Sequence, residues 1–169
     1  MIDHDLSQKQ GYLCYHNLER DLRRYKMYSI KIVQGLDNNI EAKRIREIVF
    51  IQEQKFKNEF DDIDAWAYHV VVKNDHEAIA TGRVYKKNNE DKVYILGRIA
   101  VLKEYRNLSL GSLVVEQLEK QAKEQNARII ELSAQVQAKG FYEKLGYHSV
   151  GSEYMDEHVP HVLMQKQLS

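Results

Sequence analysis

Cysteine and proline are nearly absent from this chain, which has one of each, Cys14 and Pro160. A single thiol closes no disulfide within the chain and builds no cysteine zinc cluster. With one proline and no run rich in glycine, serine and proline, no linker divides the sequence. Its 169 residues suit a single domain with its own core. Net charge is missing too, because 25 basic residues cancel 25 acidic ones. A neutral chain lacks the diffuse positive field of a non-specific nucleic-acid binder, so no nucleic acid is expected as a partner. No apolar run approaches the ~18 residues needed to span a bilayer. The first residues contain no apolar signal core. The expectations are therefore no membrane partner and a cytoplasmic location.

What is present is a globular composition, 43% hydrophobic, with readable periodicity. Residues 1–26 stand apart as an N-terminal extension. Tyr15, Leu18, Leu22 and Tyr25 fall at helical spacing there, so the segment is either an appended helix or a loosely tied tail. The domain proper occupies 27–169. Residues 28–33 alternate as a strand. Asn38 or Asn39 is placed to cap a helix with an apolar stripe at Ile40, Ile45, Ile48 and Val49, ending near Gln54. Residues 55–64 read as a polar loop or short helix. Three strand-like runs follow at 67–73, 77–86 and 92–102. Turn signals at Asn74-Asp75 and at residues 88–91 separate them and favour an antiparallel meander. A helix with Leu110, Leu113, Val114, Leu118 and Ala122 on one side comes next. It is followed by a strand at 128–134, a short helix at 138–145 closed by Gly146, and strands at 147–153 and 161–166. The order is β-α-β-β-β-α-β-α-β-β.

Two stretches carry chemistry. In Arg98–Ser112 a strand runs through a short loop into a helix. The free N–H groups and the positive end of that helix make an anion site suited to a pyrophosphate. Arg106 can add a charge-assisted bond, and Gly111 admits a close ligand. The stretch is neither a P-loop nor a dinucleotide fingerprint, since Gly-Lys-Ser/Thr and three spaced glycines are both lacking. The second stretch, Gln135–Tyr147, joins a strand to a short helix bearing Phe141 and Tyr142.

At this separation the pair resembles the GCN5-related N-acetyltransferase (GNAT) superfamily. The first stretch is similar to its coenzyme A pattern, Arg/Gln-x-x-Gly-x-Gly/Ala. The second is similar to its Asn-x-x-Ala-x-x-Phe-Tyr-x-x-x-Gly-Phe segment. Val49–Gln54, the acidic stretch Asp61–Asp64 before His69, and Val159-Pro160-His161 look most like the ElaA/YjcF-type branch. The resemblance covers about Tyr28 to Gln167. It implies an α+β fold of three layers (α/β/α) around a mixed, largely antiparallel sheet. It implies acetyl-CoA as cosubstrate, an amine acceptor, no metal, and a monomer or homodimer. Ile99, Ala100 and Val101 would meet the pantetheine arm. Arg106, Asn107, Leu108, Ser109, Leu110, Gly111 and Ser112 would wrap the pyrophosphate, and Gln135 would stand at the asparagine position. Tyr142 matches the tyrosine beside the thioester sulfur, a general acid. Ser109 replaces the first motif glycine, and the strand before the loop, on which some members carry an acid, has Arg98 as its one charged residue and no acid.

The general base is left open by the resemblance. Glu53 and His69 are the candidates for that catalytic role. The bland alternatives are a solvated helix end for Glu53 and a hydrogen-bonded structural histidine for His69. Asp61, Asp62 and Asp64 form either an attractant for a cationic amine or a solvated loop. His158 and His161 stand too close together, without further ligands, to argue for a metal. The expected function is acetyl transfer from acetyl-CoA to a primary amine of a small molecule, peptide or protein by direct attack. The alternative is a coenzyme A-binding regulatory module with weak or lost catalysis.

Overall fold

In the computed structural model residues 28–169 are described. The Tyr15, Leu18, Leu22 and Tyr25 stripe lies outside them. The chain runs β1 (Ser29–Gln34), α1 (Ile40–Arg46), β2 (Tyr68–Lys73), β3 (Ala78–Lys86), β4 (Val93–Val101), α2 (Leu110–Glu124), β5 (Ile129–Gln135), α3 (Lys139–Lys144), β6 (His148–Asp156) and β7 (Val159–Gln167). The seven strands form one sheet in the order β1-β2-β3-β4-β5-β7-β6. Every neighbouring pair is antiparallel except β4–β5. Local chemistry explains the pairing. Asn74 turns the β2–β3 hairpin by accepting from the amides of His76 and Glu77 at 2.9 and 2.8 Å. Helix α2 supplies the crossover that a parallel pair requires.

The helices make the outer layers. On one face, Ile45 of α1 and Val49 of the helical stretch that follows it pack with Val71, Ala100 and Leu102. On the other, Leu113, Val114 and Leu118 of α2 pack with Val70, Ala80 and Leu96. Gly82 sets the approach of α2, since a Cβ there would sit 2.7 Å from Val114 Cγ1 and 2.9 Å from Leu118 Cδ1. Among the described residues no helix is long and apolar enough to cross a membrane.

Two expectations need correction. Asn39 does cap α1, accepting from Ala42 N at 3.2 Å, but Ile40 is 78% exposed and outside the apolar stripe. Five residues at about 100° each set it roughly 140° from Ile45. Beyond Arg46 the helix widens into a π-helical stretch, Glu47–Glu53, with Gln54 N bonded to Val49 O at 3.1 Å. The last hairpin is also longer than its apolar pattern suggested. Strand β6 continues to Asp156 and β7 begins at Val159, because an exposed edge strand needs no apolar alternation.

Candidate active site

Strands β4 and β5 start as partners and then part. Pairing runs only from Val93–Leu96 to Ile129–Leu132. Immediately beyond, β4 bulges: Gly97 and Ala100 face Arg83 and Thr81 of β3, so an extra residue is accommodated, and Arg98 takes φ 55°. The bulge bends the strand away from β5. A cleft of about 410 Å³ opens at the parting. Residues from both sides of the sheet line it. Tyr142 reaches it from the layer of α2, while Phe50, Gln54 and Phe56 line it from the side of α1. The backbone of β4 past Leu96 lacks a strand partner on that side, so an extended ligand can pair with it as a missing strand would.

On the α2 side the loop before the helix holds Asn107 and Ser109 in left-handed conformations, φ 66° and 58°. Glycine adopts such a conformation without a Cβ conflict, which is why serine at this position departs from the usual pattern. Gly111 has a role the sequence did not reveal. A Cβ there would approach Phe141 to 3.2 Å, so the glycine seats α3 against the start of α2. Arg106 is already engaged within the protein. Its guanidinium forms a two-pronged pair with Glu53 at 2.7 Å on each arm and donates to Val101 O at 3.1 Å. That bond, first, and the arginine's charge hold the Glu53 carboxyl below the usual range, which makes it a poor base. Tyr142 is packed by Phe141 and Tyr147 at ring distances of 4.9 and 5.9 Å. Burial pushes its phenol up to about 12.

On the α1 side Asp61 and Asp64 of the expected acidic loop join Glu59 in an ion network, while Asp62 stays exposed. Arg46, fully buried, bonds Glu59 at 2.6 Å and Asp64 at 2.6 and 2.9 Å. Arg83 bonds Asp64 at 2.6 Å and Asp61 at 2.6 and 2.8 Å. Arg98, on the bulge, reaches Glu59 at 3.0 Å. Burial alone would raise the Asp64 pKa, but Arg46 and Arg83 outweigh it and hold the carboxyl at about 2. For Glu59 burial wins over Arg98 and Arg46, and its pKa is raised. His69 is buried behind this network. Its Nε2 contacts Asp64 O at 3.2 Å, and burial lowers its pKa. It does not line the cleft, so the structural-histidine alternative describes its surroundings.

The β6–β7 hairpin closes the far wall. Glu157 accepts from the amides of Lys57 and Asn58 at 3.1 and 3.0 Å. His158 Nε2 meets Gln54 O at 2.9 Å, and its ring lies 5.1 Å from that of Phe56. Gln135 donates to Gln54 Oε1 at 2.8 Å. His161, opposite Gln135 in the sheet register, is 6% exposed and lines the cleft. The cleft thus gathers Ile99, Gln135 and Tyr142 from the expected set, together with Glu59, Arg98, Glu157 and His161.

A strand pair that splays beside a helix-opening loop, inside an α/β/α sandwich, is the architecture of an acyl-CoA-dependent N-acyltransferase. Comparison with known proteins agrees. The family model described as acetyltransferase (GNAT) domain matches residues 37–168. The uncharacterized protein YyaT of Bacillus subtilis is 39% identical over 134 residues, 76% of this chain and 88% of that protein. The uncharacterized N-acetyltransferase YjcF of the same organism is 35% identical over 129 residues, 75% of this chain and 90% of that one. A crystal structure from Lactobacillus plantarum superposes with TM-score 0.77 at 26% identity, covering 85% of this chain and 99% of that one. Escherichia coli ElaA superposes with TM-score 0.74 at 20% identity over 83% of this chain and 99% of that one, a likeness of fold. The chain belongs to the GNAT acetyltransferase family, in its ElaA/YjcF branch.

Proposed function

We propose that this protein transfers an acetyl group from acetyl-CoA to a primary amine by direct attack. The observation that carries the reading is the cleft where β4 and β5 part, lined by residues from both helical layers. The donor is read to lie along the β4 segment Ile99, Ala100, Val101, with its pyrophosphate at the Arg106–Ser112 loop ahead of α2. Bound there, it supplies a thioester carbonyl as electrophile. The acceptor is read to enter from the α1 side, beside Arg98, Glu59 and the β6–β7 hairpin. Arg106 supports the donor loop through Val101 O and Glu53, so its contribution is chiefly to loop shape. Tyr142 donates a hydrogen bond to the sulfur as negative charge develops. With a phenol near 12, it stays protonated at every working pH.

Calorimetry with acetyl-CoA, and thiol release with a panel of primary amines, tests this. Binding with a millimolar or tighter Kd, plus amine-dependent release, is expected. Gly111→Asp should weaken donor binding at least about tenfold, since a side chain meets Phe141 and a carboxylate repels the phosphates. Binding without release from any amine would favour the coenzyme A-binding module instead. No binding at all would remove both readings.

A further inference from the structure

The proposed reaction needs a group that takes a proton from the incoming ammonium. An amine of the lysine type has a pKa of about 10.4, so only about one molecule in a few thousand is free at pH 7. Three of the four carboxylates near the cleft are committed elsewhere, and the fourth, Asp156, is exposed at the end of β6. Glu53 is locked on Arg106, Glu59 lies between Arg46 and Arg98, and Glu157 caps backbone amides of the loop.

We propose that His161 is the general base, accepting the amine's proton at Nε2. Its Nδ1 contacts the carbonyl of Val159 at 3.0 Å. A carbonyl only accepts, so Nδ1 carries hydrogen, and the lone pair of the neutral ring is on Nε2. Nε2 has no protein partner among the described residues, and it is not one of the sealed, unpaired atoms as His69 Nδ1 is. It therefore opens to the cleft that the residue lines. The ring is fixed. Tyr154 stacks on it at 6.2 Å and 26°, and Phe56 meets it at 6.4 Å. Its place on β7 beside Gln135, on the same side of the sheet as Phe56, puts it on the acceptor side, opposite Tyr142. The ionisable groups sharing the cleft are Glu59 from the loop, Arg83 and Tyr85 from β3, Arg98 from β4, Tyr142 from α3, and Asp156 and Glu157 from the hairpin.

The step balances. The ammonium gives one proton to Nε2, and the freed nitrogen pair attacks the thioester carbon. The C–N bond forms and the C–S bond breaks. The sulfur leaves with the electron pair, hydrogen-bonded by Tyr142, and takes up the second nitrogen proton. His161 returns its proton to solvent. The net products are amide, thiol and one proton.

This rests on the acetyltransferase reading, and the test separates the two. His161→Asn keeps a donor near Nδ1 for Val159 O and removes the base. His161→Gln places an amide near Nε2 and guards against a folding failure of the first variant. Each is assayed from pH 6 to 10 with acetyl-CoA and the best amine found for the wild type. Near pH 7.5 the turnover rate should fall about 10²–10⁴-fold, the range of general acid–base groups, with KM for acetyl-CoA nearly unchanged. The ratio of wild type to variant should shrink toward high pH, where the amine arrives deprotonated. Added imidazole should restore part of the rate. A pH-independent ratio without rescue, or full activity in either variant, would overturn the assignment while leaving the acetyltransferase intact. A wild type that releases no thiol with any amine overturns both.

Discussion

Tyr142 shows how one residue's surroundings sharpen its role. An ordinary thiol has a pKa of about 8.5, and the buried phenol stands at about 12. Full proton transfer to a departing thiolate would be uphill by roughly 3–4 units, about 5 kcal/mol. A hydrogen bond from a phenol that keeps its proton carries no such cost and still stabilises charge on sulfur. Tyr142→Phe should therefore lower the turnover rate at least about tenfold, with donor affinity nearly unchanged. No descending limb from this tyrosine should appear in the wild-type pH profile below about pH 11. Steady-state kinetics and a thermal melt on the same variant check it. Unchanged turnover in a stable protein would leave the ring as packing for Phe141 and Tyr147.

At the scale of elements, the buried ions tie α1, the loop after it and β3 into one unit. Removing one partner of such a buried pair costs about 3–5 kcal/mol, and an amide replacement falls at the lower end because it still hydrogen-bonds. Asp64→Asn should lower Tm by roughly 6–12 °C at neutral pH, taking about 2–4 °C per kcal/mol for a chain of this size. The sign of the acid dependence follows from the depressed pKa. Asp64 is held at about 2 against an ordinary 3.8, so its stabilisation is present above pH 4 and fades as pH falls toward 2. Asp61, also depressed, works in the same direction. Glu59 is raised and works in the opposite one, with stability falling as pH rises through its folded pKa. The variant should show a flatter melt profile between pH 2 and 4, measured by circular dichroism.

The sequence made some of this visible and hid the rest for identifiable reasons. Strand and helix order was legible because Asn74 and the Asn88–Asp91 turn punctuate clean alternation, and because Leu110 to Ala122 keep one helical face. Arg46 and Asp64 meet across 18 positions, so a local reading of the acidic loop offered an amine attractant or a solvated run and missed the ion pairs. The π-helical stretch that ends at Glu53 and the bulge at Arg98 leave no periodic mark, yet they shape the cleft. His161 stood out as a neighbour of His158 and as part of the Val159-Pro160-His161 run, with no chemical role attached. Its Nδ1 contact with Val159 O spans two residues, but the open Nε2 is a product of tertiary packing.

At the scale of the whole molecule, the sheet is a partition with one gap. The layer carrying α2 and α3 presents the loop and Tyr142. The layer carrying α1 presents the ion network, the hairpin and His161. On the proposed reading, two substrates enter from opposite sides and meet at the gap, the donor taking the place of the missing β5 partner of β4. Acetyl-CoA should therefore slow amide hydrogen exchange in residues 97–101, 106–112 and 133–135. About tenfold or more is expected where an amide gains a bond. The β2 core, Val70–Val72, is fully buried and should show no local change beyond the global rise in stability. That rise is about 2.7 kcal/mol at one hundred times Kd, roughly 5–11 °C in Tm. Exchange mapped by mass spectrometry with and without the donor decides the matter. Protection confined to the loop at 106–112 would mean that the phosphates bind while the arm stays outside the gap. Protection away from all three segments would move the donor site elsewhere on the molecule.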